Sequence, residues 1–417
     1  MVFITPQRTL LLFLAVGIFQ TNAFPADGAP NSLLPTFRLV EGDGGSETGR
    51  CTGADLDNLK ASYEDMCAMA RHARDDIDYL MQEADKTGGA GPPKPESKDA
   101  PQADIENWQR WNRVRATYLS LFGKDPFIDT TQPRAGKPVL GHKTFVRDFY
   151  NRVDTEFCVG QNSNSPLAVC TDAHFKFVKI GEVDPGDSQG RTIENTQPQC
   201  RNIGGVWYSP NMPEADRYGF FPPPNKPGDG PYCADPDDLA STHPDRGFIV
   251  FCKNGLDGKG HNLVTLEDQR ANIKPTSKRY KKSANRERFL QLLGVGGLTK
   301  LEDIKGDGGQ NMPVTWLHEM HHLLKNSDDE RAVDKNGKHI KTTRRIFNVE
   351  TQKYEKQEDE ERAYGYALAR DLALYGGLSA MINPENSAFF ALAMFFSEYD
   401  WSRGFAMPLM DPFQSDE

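Results

Sequence analysis

Residues 313–325 read Pro-Val-Thr-Trp-Leu-His-Glu-Met-His-His-Leu-Leu-Lys. Within them His318, Glu319 and His322 form the pattern His-Glu-x-x-His. On an α-helix, positions i and i+4 share a face, so both imidazoles can reach one ion. Zinc suits such a pair because it takes neutral imidazole nitrogens in a small tetrahedral shell. Glu319, one residue past the first ligand, stands beside the ion rather than on it. There a carboxylate can accept a proton from metal-bound water. Trp316, Met320, Leu323 and Leu324 fall on the opposite side of the same helix. One face can therefore bury while the other presents ligands to a cleft. His321 points about 80° away from the ligand direction and reads as a surface or supporting histidine.

A catalytic zinc needs a third protein ligand and keeps its fourth position for water. No further histidine follows at short spacing; position 328 is Asp, and His339 lies in a charged stretch. The candidate comes from the acid-rich run Glu358-Asp-Glu-Glu-Arg-Ala-Tyr-Gly-Tyr366. A helix over 358–375 puts Glu361, Tyr364, Gly365, Leu368 and Leu372 on one stripe. Glu361 is then the acid that turns inward, with Glu358, Asp359 and Glu360 as alternatives that face solvent. The plainer account of the run is that acids suit a helix N-terminus.

These residues must be positioned by a folded frame. Apolar periodicity predicts helices over 53–85, 103–121, 145–157, 286–293, 313–325, 358–375 and 387–397. Strands are expected at 175–180, 205–208 and 247–252. Residues 86–102 form a polar Pro/Gly linker. Residues 326–357 form a hydrophilic surface excursion, with 345–349 and 352–356 as a hairpin. The fold class expected is α+β, a mainly helical core with a small sheet and disulfide-bonded loop insertions. One domain over 51–417 is expected: an α-rich part (51–157), a Cys-rich loop part (158–245) and a part with the metal site (246–417). Residues 24–50 are expected to be a flexible lead-in or short propeptide.

The chain has 417 residues, with 49 Lys+Arg against 59 Asp+Glu and a net charge of −10. That balance argues against a nucleic-acid binder. Residues 1–23 carry one basic residue, a short apolar run and small residues at a cleavage position, the pattern of a secretory signal. The mature chain is then expected outside the cell, with no membrane association and as a monomer. Export makes disulfides the default. Seven cysteines give three bridges and one unpaired thiol. There is no Asn-x-Ser/Thr sequon.

With the two metal segments in view, the chain resembles secreted fungal-type zincins, and within them the aspzincin group. That group, which includes deuterolysin and the lysine-specific metalloendopeptidases, pairs His-Glu-x-x-His with a later Gly-Thr-x-Asp-x-x-Tyr-Gly. Here Glu361-Arg-Ala-Tyr364-Gly365 matches the end of that pattern, with Glu in place of Asp and no Gly-Thr before it. The resemblance spans residues 313–372. It implies a zincin-like fold, one catalytic zinc held by His318, His322 and Glu361, and Glu319 as general base. It further implies Tyr364 as stabiliser of the oxyanion, and hydrolysis of protein or peptide substrates. The competing expectation is an inactive secreted relative that binds zinc or a host partner.

Overall fold

Trp316 is the hinge pin of the architecture. It is fully buried, and its ring meets Phe37 at 5.1 Å, Tyr63 at 5.2 Å and Phe251 at 4.3 Å. Its indole N–H donates to Ser62 Oγ at 3.2 Å. One side chain of the metal helix thus binds that helix to the N-terminal segment, the longest helix and the main sheet at once.

The computed structural model describes residues 33–40, 44–125, 142–160, 165–226, 229–234, 238–256, 265–275, 299–304 and 312–414. The expected signal sequence (1–23) and the expected helix at 286–293 lie outside them. Among the described residues the long helices are α1 (Gly53–Thr87), α2 (Gln102–Phe122), α3 (His142–Arg152), α4 (Met312–Lys325), α5 (Gly365–Tyr375) and α6 (Pro384–Phe395). A π-helical turn, Val153–Cys158, extends α3. α1 carries buried residues at helical spacing along its whole length and ends on Gly88 in the left-handed conformation. α6 is buried almost throughout, as its apolar composition requires. The largest buried cluster draws side chains from Leu33 to Ala406.

The main sheet has the order β1-β2-β7-β6. Its strands are β1 (Arg38–Leu39), β2 (Leu167–Cys170), β6 (Ala240–His243) and β7 (Phe248–Phe251). β1, β2 and β7 run parallel, and β6 is antiparallel at the edge. β2 and β7 are buried at every position, so they read as unbroken apolar runs. A second sheet joins β3 (Lys176–Lys179), β4 (Gly205–Tyr208) and β5 (Tyr218–Gly219). A two-stranded ribbon joins β8 (Lys341–Asn348) to β9 (Lys353–Glu360). The molecule is therefore α+β with small sheets. Disulfides link Cys51–Cys170, Cys67–Cys158 and Cys233–Cys252, and Cys200 is the unpaired, buried cysteine.

Three expectations are corrected. Residues 33–40 are no loose lead-in: Leu33, Phe37 and Val40 are buried and β1 is a strand of the main sheet. The helix expected over 358–375 starts only at Gly365. Residues up to Glu360 are instead the second strand of the ribbon, which is four residues longer than expected at its base on each strand. Lys341, Thr342 and Thr343 on β8 stand opposite Glu360, Asp359 and Glu358 on β9, and pairing across the ribbon outweighs helix propensity there. The metal helix, finally, has no open polar face along most of its length: Met312–His321 are all buried.

Candidate metal centre

α4 sets His318 and His322 one turn apart, with Nε2 atoms 3.1 Å from each other. The helix stops at Lys325. Asn326 then takes φ +48°, a left-handed reversal that asparagine tolerates better than most residues. The chain turns back and brings Asp329 to the two imidazoles. Asp329 Oδ1 lies 3.0 Å from His318 Nε2 and 3.3 Å from His322 Nε2. Among the described residues this trio is the group arranged to hold a metal ion.

The acid that stands beside the two histidines is Asp329, and Glu361 is not part of the cluster. Glu361 accepts a hydrogen bond from Arg344 at 3.3 Å. Its backbone extends the ribbon, with its N–H donating to Ile340 O and its carbonyl accepting from Ala332. The inward stripe assumed for it required a helix, and the chain is extended at that point. Glu358, Asp359 and Glu360 lie on β9. Glu360 contacts His339, Lys341 and Arg331, while Asp359 reaches Arg344 diagonally across the ribbon at 3.8 Å.

The surroundings fix the imidazole tautomers. His322 Nδ1 is 2.6 Å from Ser327 O, and a carbonyl only accepts, so that nitrogen carries its proton. His318 Nδ1 is 3.0 Å from Glu385 Oε2. When neutral, imidazoles so pinned present two bare Nε2 lone pairs, and Asp329 Oδ1 is a buried oxygen with no hydrogen-bond partner. Three acceptors thus face one point. A proton relieves one contact; a cation relieves all three. Bonds of about 2.0–2.1 Å in a tetrahedral shell put ligand atoms about 3.3 Å apart, close to the separations found. Burial opposes an imidazolium at His318, but the Asp329 and Glu385 carboxylates outweigh it and hold its pKa well above the ordinary value. Asp329 is likewise opposed by burial, and the two imidazoles drive it far below the carboxylate range. Charge in this pocket attracts a cation or protons.

Glu319 is buried, and Thr242 Oγ1 from edge strand β6 donates to its Oε2 at 2.7 Å. Tyr364 lies beside the cluster: its ring is 6.0 Å from that of His318 and its hydroxyl donates to Asp329 Oδ2 at 2.6 Å. Tyr364 and Asp329 are brought together by the base of the ribbon, where Ala332 N–H donates to Glu361 O and Ala363 N–H to Glu330 O. His321 is buried, not at the surface. Its Nδ1 contacts Ser327 Oγ at 2.8 Å and its ring packs on Phe149. Ser327 is thereby held where its carbonyl can orient His322.

Sequence reasoning did not find Asp329, Thr242 or Glu385. Asp329 had a readable signal, an acid seven residues past the second histidine and just beyond a helix-ending Asn-Ser. Thr242 and Glu385 come from distant segments and leave no local trace. No family model, curated protein or solved structure matches this chain.

Proposed function

We propose that this protein is a secreted zinc-dependent metalloendopeptidase. The observation that carries the reading is the convergence of three possible ligand atoms, His318 Nε2, His322 Nε2 and Asp329 Oδ1, beside a buried glutamate. Two imidazoles and one carboxylate are a donor set suited to zinc, with a fourth position left for water. Once bound, zinc would acidify a coordinated water and polarise a scissile carbonyl.

The chain's own residues supply the remaining steps. Glu319 takes the water proton and passes it to the leaving amine. Thr242 keeps one Glu319 oxygen occupied, so the other is the one that moves the proton. Tyr364 supplies a hydroxyl at the mouth of the site, half exposed at 47%, able to turn from Asp329 toward a developing oxyanion. β6 is the edge strand of its sheet, and it carries the threonine that touches Glu319. An extended peptide can add to such an edge by backbone hydrogen bonds. Three disulfides suit an oxidising compartment, and no described helix is long and apolar enough to cross a membrane.

The test is Glu319→Gln. The variant is expected to retain one zinc and to lose casein hydrolysis by about 10²–10⁴-fold. Zinc in the wild type without hydrolysis of any protein would instead favour the inactive zinc-binding relative. Loss of zinc in the variant would contradict the role given to Glu319.

A further inference from the structure

Glu385 uses its two oxygens for two different jobs. Oε2 accepts from His318 Nδ1 at 3.0 Å, and Oε1 accepts from the Gly365 backbone N–H at 2.9 Å. Gly365 opens α5 with φ +78°, a conformation that favours glycine. The residue before it is Tyr364, in extended backbone. Tyr364 donates to Asp329 Oδ2, and Asp329 Oδ1 faces His318. The contacts close a circuit: His318, Glu385, Gly365, Tyr364, Asp329 and back to His318. It joins three separate elements, α4, the start of α6 and the start of α5.

We propose that Glu385 is a positioning residue that makes cation binding and the placement of Tyr364 a single event. This rests on the metal reading above. A cation on Nε2 draws electron density from the imidazole and strengthens the Nδ1–H bond to Glu385. That bond orients the carboxylate, whose second oxygen then holds the first N–H of α5. The anchored turn sets Tyr364, and Tyr364 occupies Asp329 Oδ2, leaving Oδ1 for the cation. Each bond favours the next, so the losses from breaking two of them do not add.

The experiment is a cycle read by zinc affinity alone, with the metal-free protein titrated against a chromogenic chelator. Wild type, Glu385→Gln, Tyr364→Phe and the double variant are compared. Glu385→Gln keeps the bulk but has one acceptor oxygen, and is expected to weaken zinc binding about 10- to 100-fold. Tyr364→Phe is expected to weaken it about 3- to 10-fold, the scale of one hydrogen bond. The double variant is expected to match Glu385→Gln alone. A double-variant loss equal to the product of the single losses would overturn the coupling. Glu385→Asp keeps the charge but is too short to serve both partners; it replaces Glu385→Gln in the cycle if that variant misfolds, with the same expectation. Absence of zinc uptake by the wild type would sink the metal reading and this inference together. Tight uptake with independent losses would sink this inference only.

Discussion

The metal helix and the β8–β9 ribbon are neighbours in sequence and opposites in construction. α4 is buried along most of its length and is fixed by aromatic packing around Trp316. The ribbon is a charged pair of strands with mostly exposed or half-buried side chains. Its tip docks by two hydrogen bonds, from Tyr354 to Pro223 O and from Gln352 to Asn202 O. Yet each contributes to the same centre. The helix gives His318 and His322 through its own periodicity, whereas the ribbon's base gives Asp329 and Tyr364 through chain reversal. Rigid placement by a buried helix and placement by a hydrogen-bonded reversal are separate solutions to one geometric demand.

The sharpest way to break that comparison is at the ligands. Asp329→Ala is expected to weaken zinc binding about 10³-fold or more, since metal binding depends on every first contact. Glu361→Ala, on the same ribbon base, is expected to leave it unchanged. Chelator competition on both variants decides between the two acids, and equal losses would undo the assignment of Asp329.

Next in size is stability. Trp316→Ala empties the space between α4, α1 and the main sheet and is expected to cost about 3–5 kcal/mol, measured by urea unfolding. Thr343→Ala, exposed on β8, is expected to fall within about 0.5 kcal/mol of wild type. A comparable loss at both positions would mean that the ribbon is part of the cooperative core.

The pH dependence probes the buried side again. Burial raises the Asp65 carboxyl to about 6, so the folded state holds this proton more readily than the unfolded chain does. The penalty for ionising it is absent below about pH 4 and complete above about pH 6. Asp65→Asn removes that penalty while its amide oxygen can still accept from Leu266 N–H. The variant is expected to be more stable at pH 7.5, by on the order of 2 kcal/mol, and to lose the advantage toward pH 4. Parallel melting curves at both pH values would contradict this.

The smallest expected effect is at the ribbon tip. Tyr354→Phe deletes the bond to Pro223 O and is expected to cost about 1 kcal/mol or less. Faster amide exchange should be confined to 341–360. Acceleration spreading into α4 would erase the distinction between the two regions.

Much of the frame was legible because it is local. The helices at 53–85, 103–121 and 313–325 and the strand around 248–251 follow from periodicity and apolar runs that later packing did not override. His318, Glu319 and His322 were legible for the same reason, since spacing on one helix is a sequence property. The error at 358–364 arose because the acidic run Glu358–Glu361 suits the start of a helix as well as a charged strand. Only the partner strand 341–348 decides between them. β1 is two residues long and takes its identity from β2, far along the chain, while β6 is a short, partly exposed edge strand that pairs with the next strand, β7. Glu385 lies 67 residues from His318, a separation that no local pattern encodes.

The three side chains that could hold a metal ion all fall between His318 and Asp329, while the disulfides span separations of 119, 91 and 19 residues. A cross-link restricts the unfolded chain in proportion to the logarithm of the loop that it closes. On the proposed reading, an ion held by this trio would clasp a short stretch and tie no distant parts of the polypeptide together. Architecture rests on packing and on the sulfur bridges, and such an ion would be a late, exchangeable guest. A chelator would then empty the site, and zinc refill it, without passage through an unfolded state.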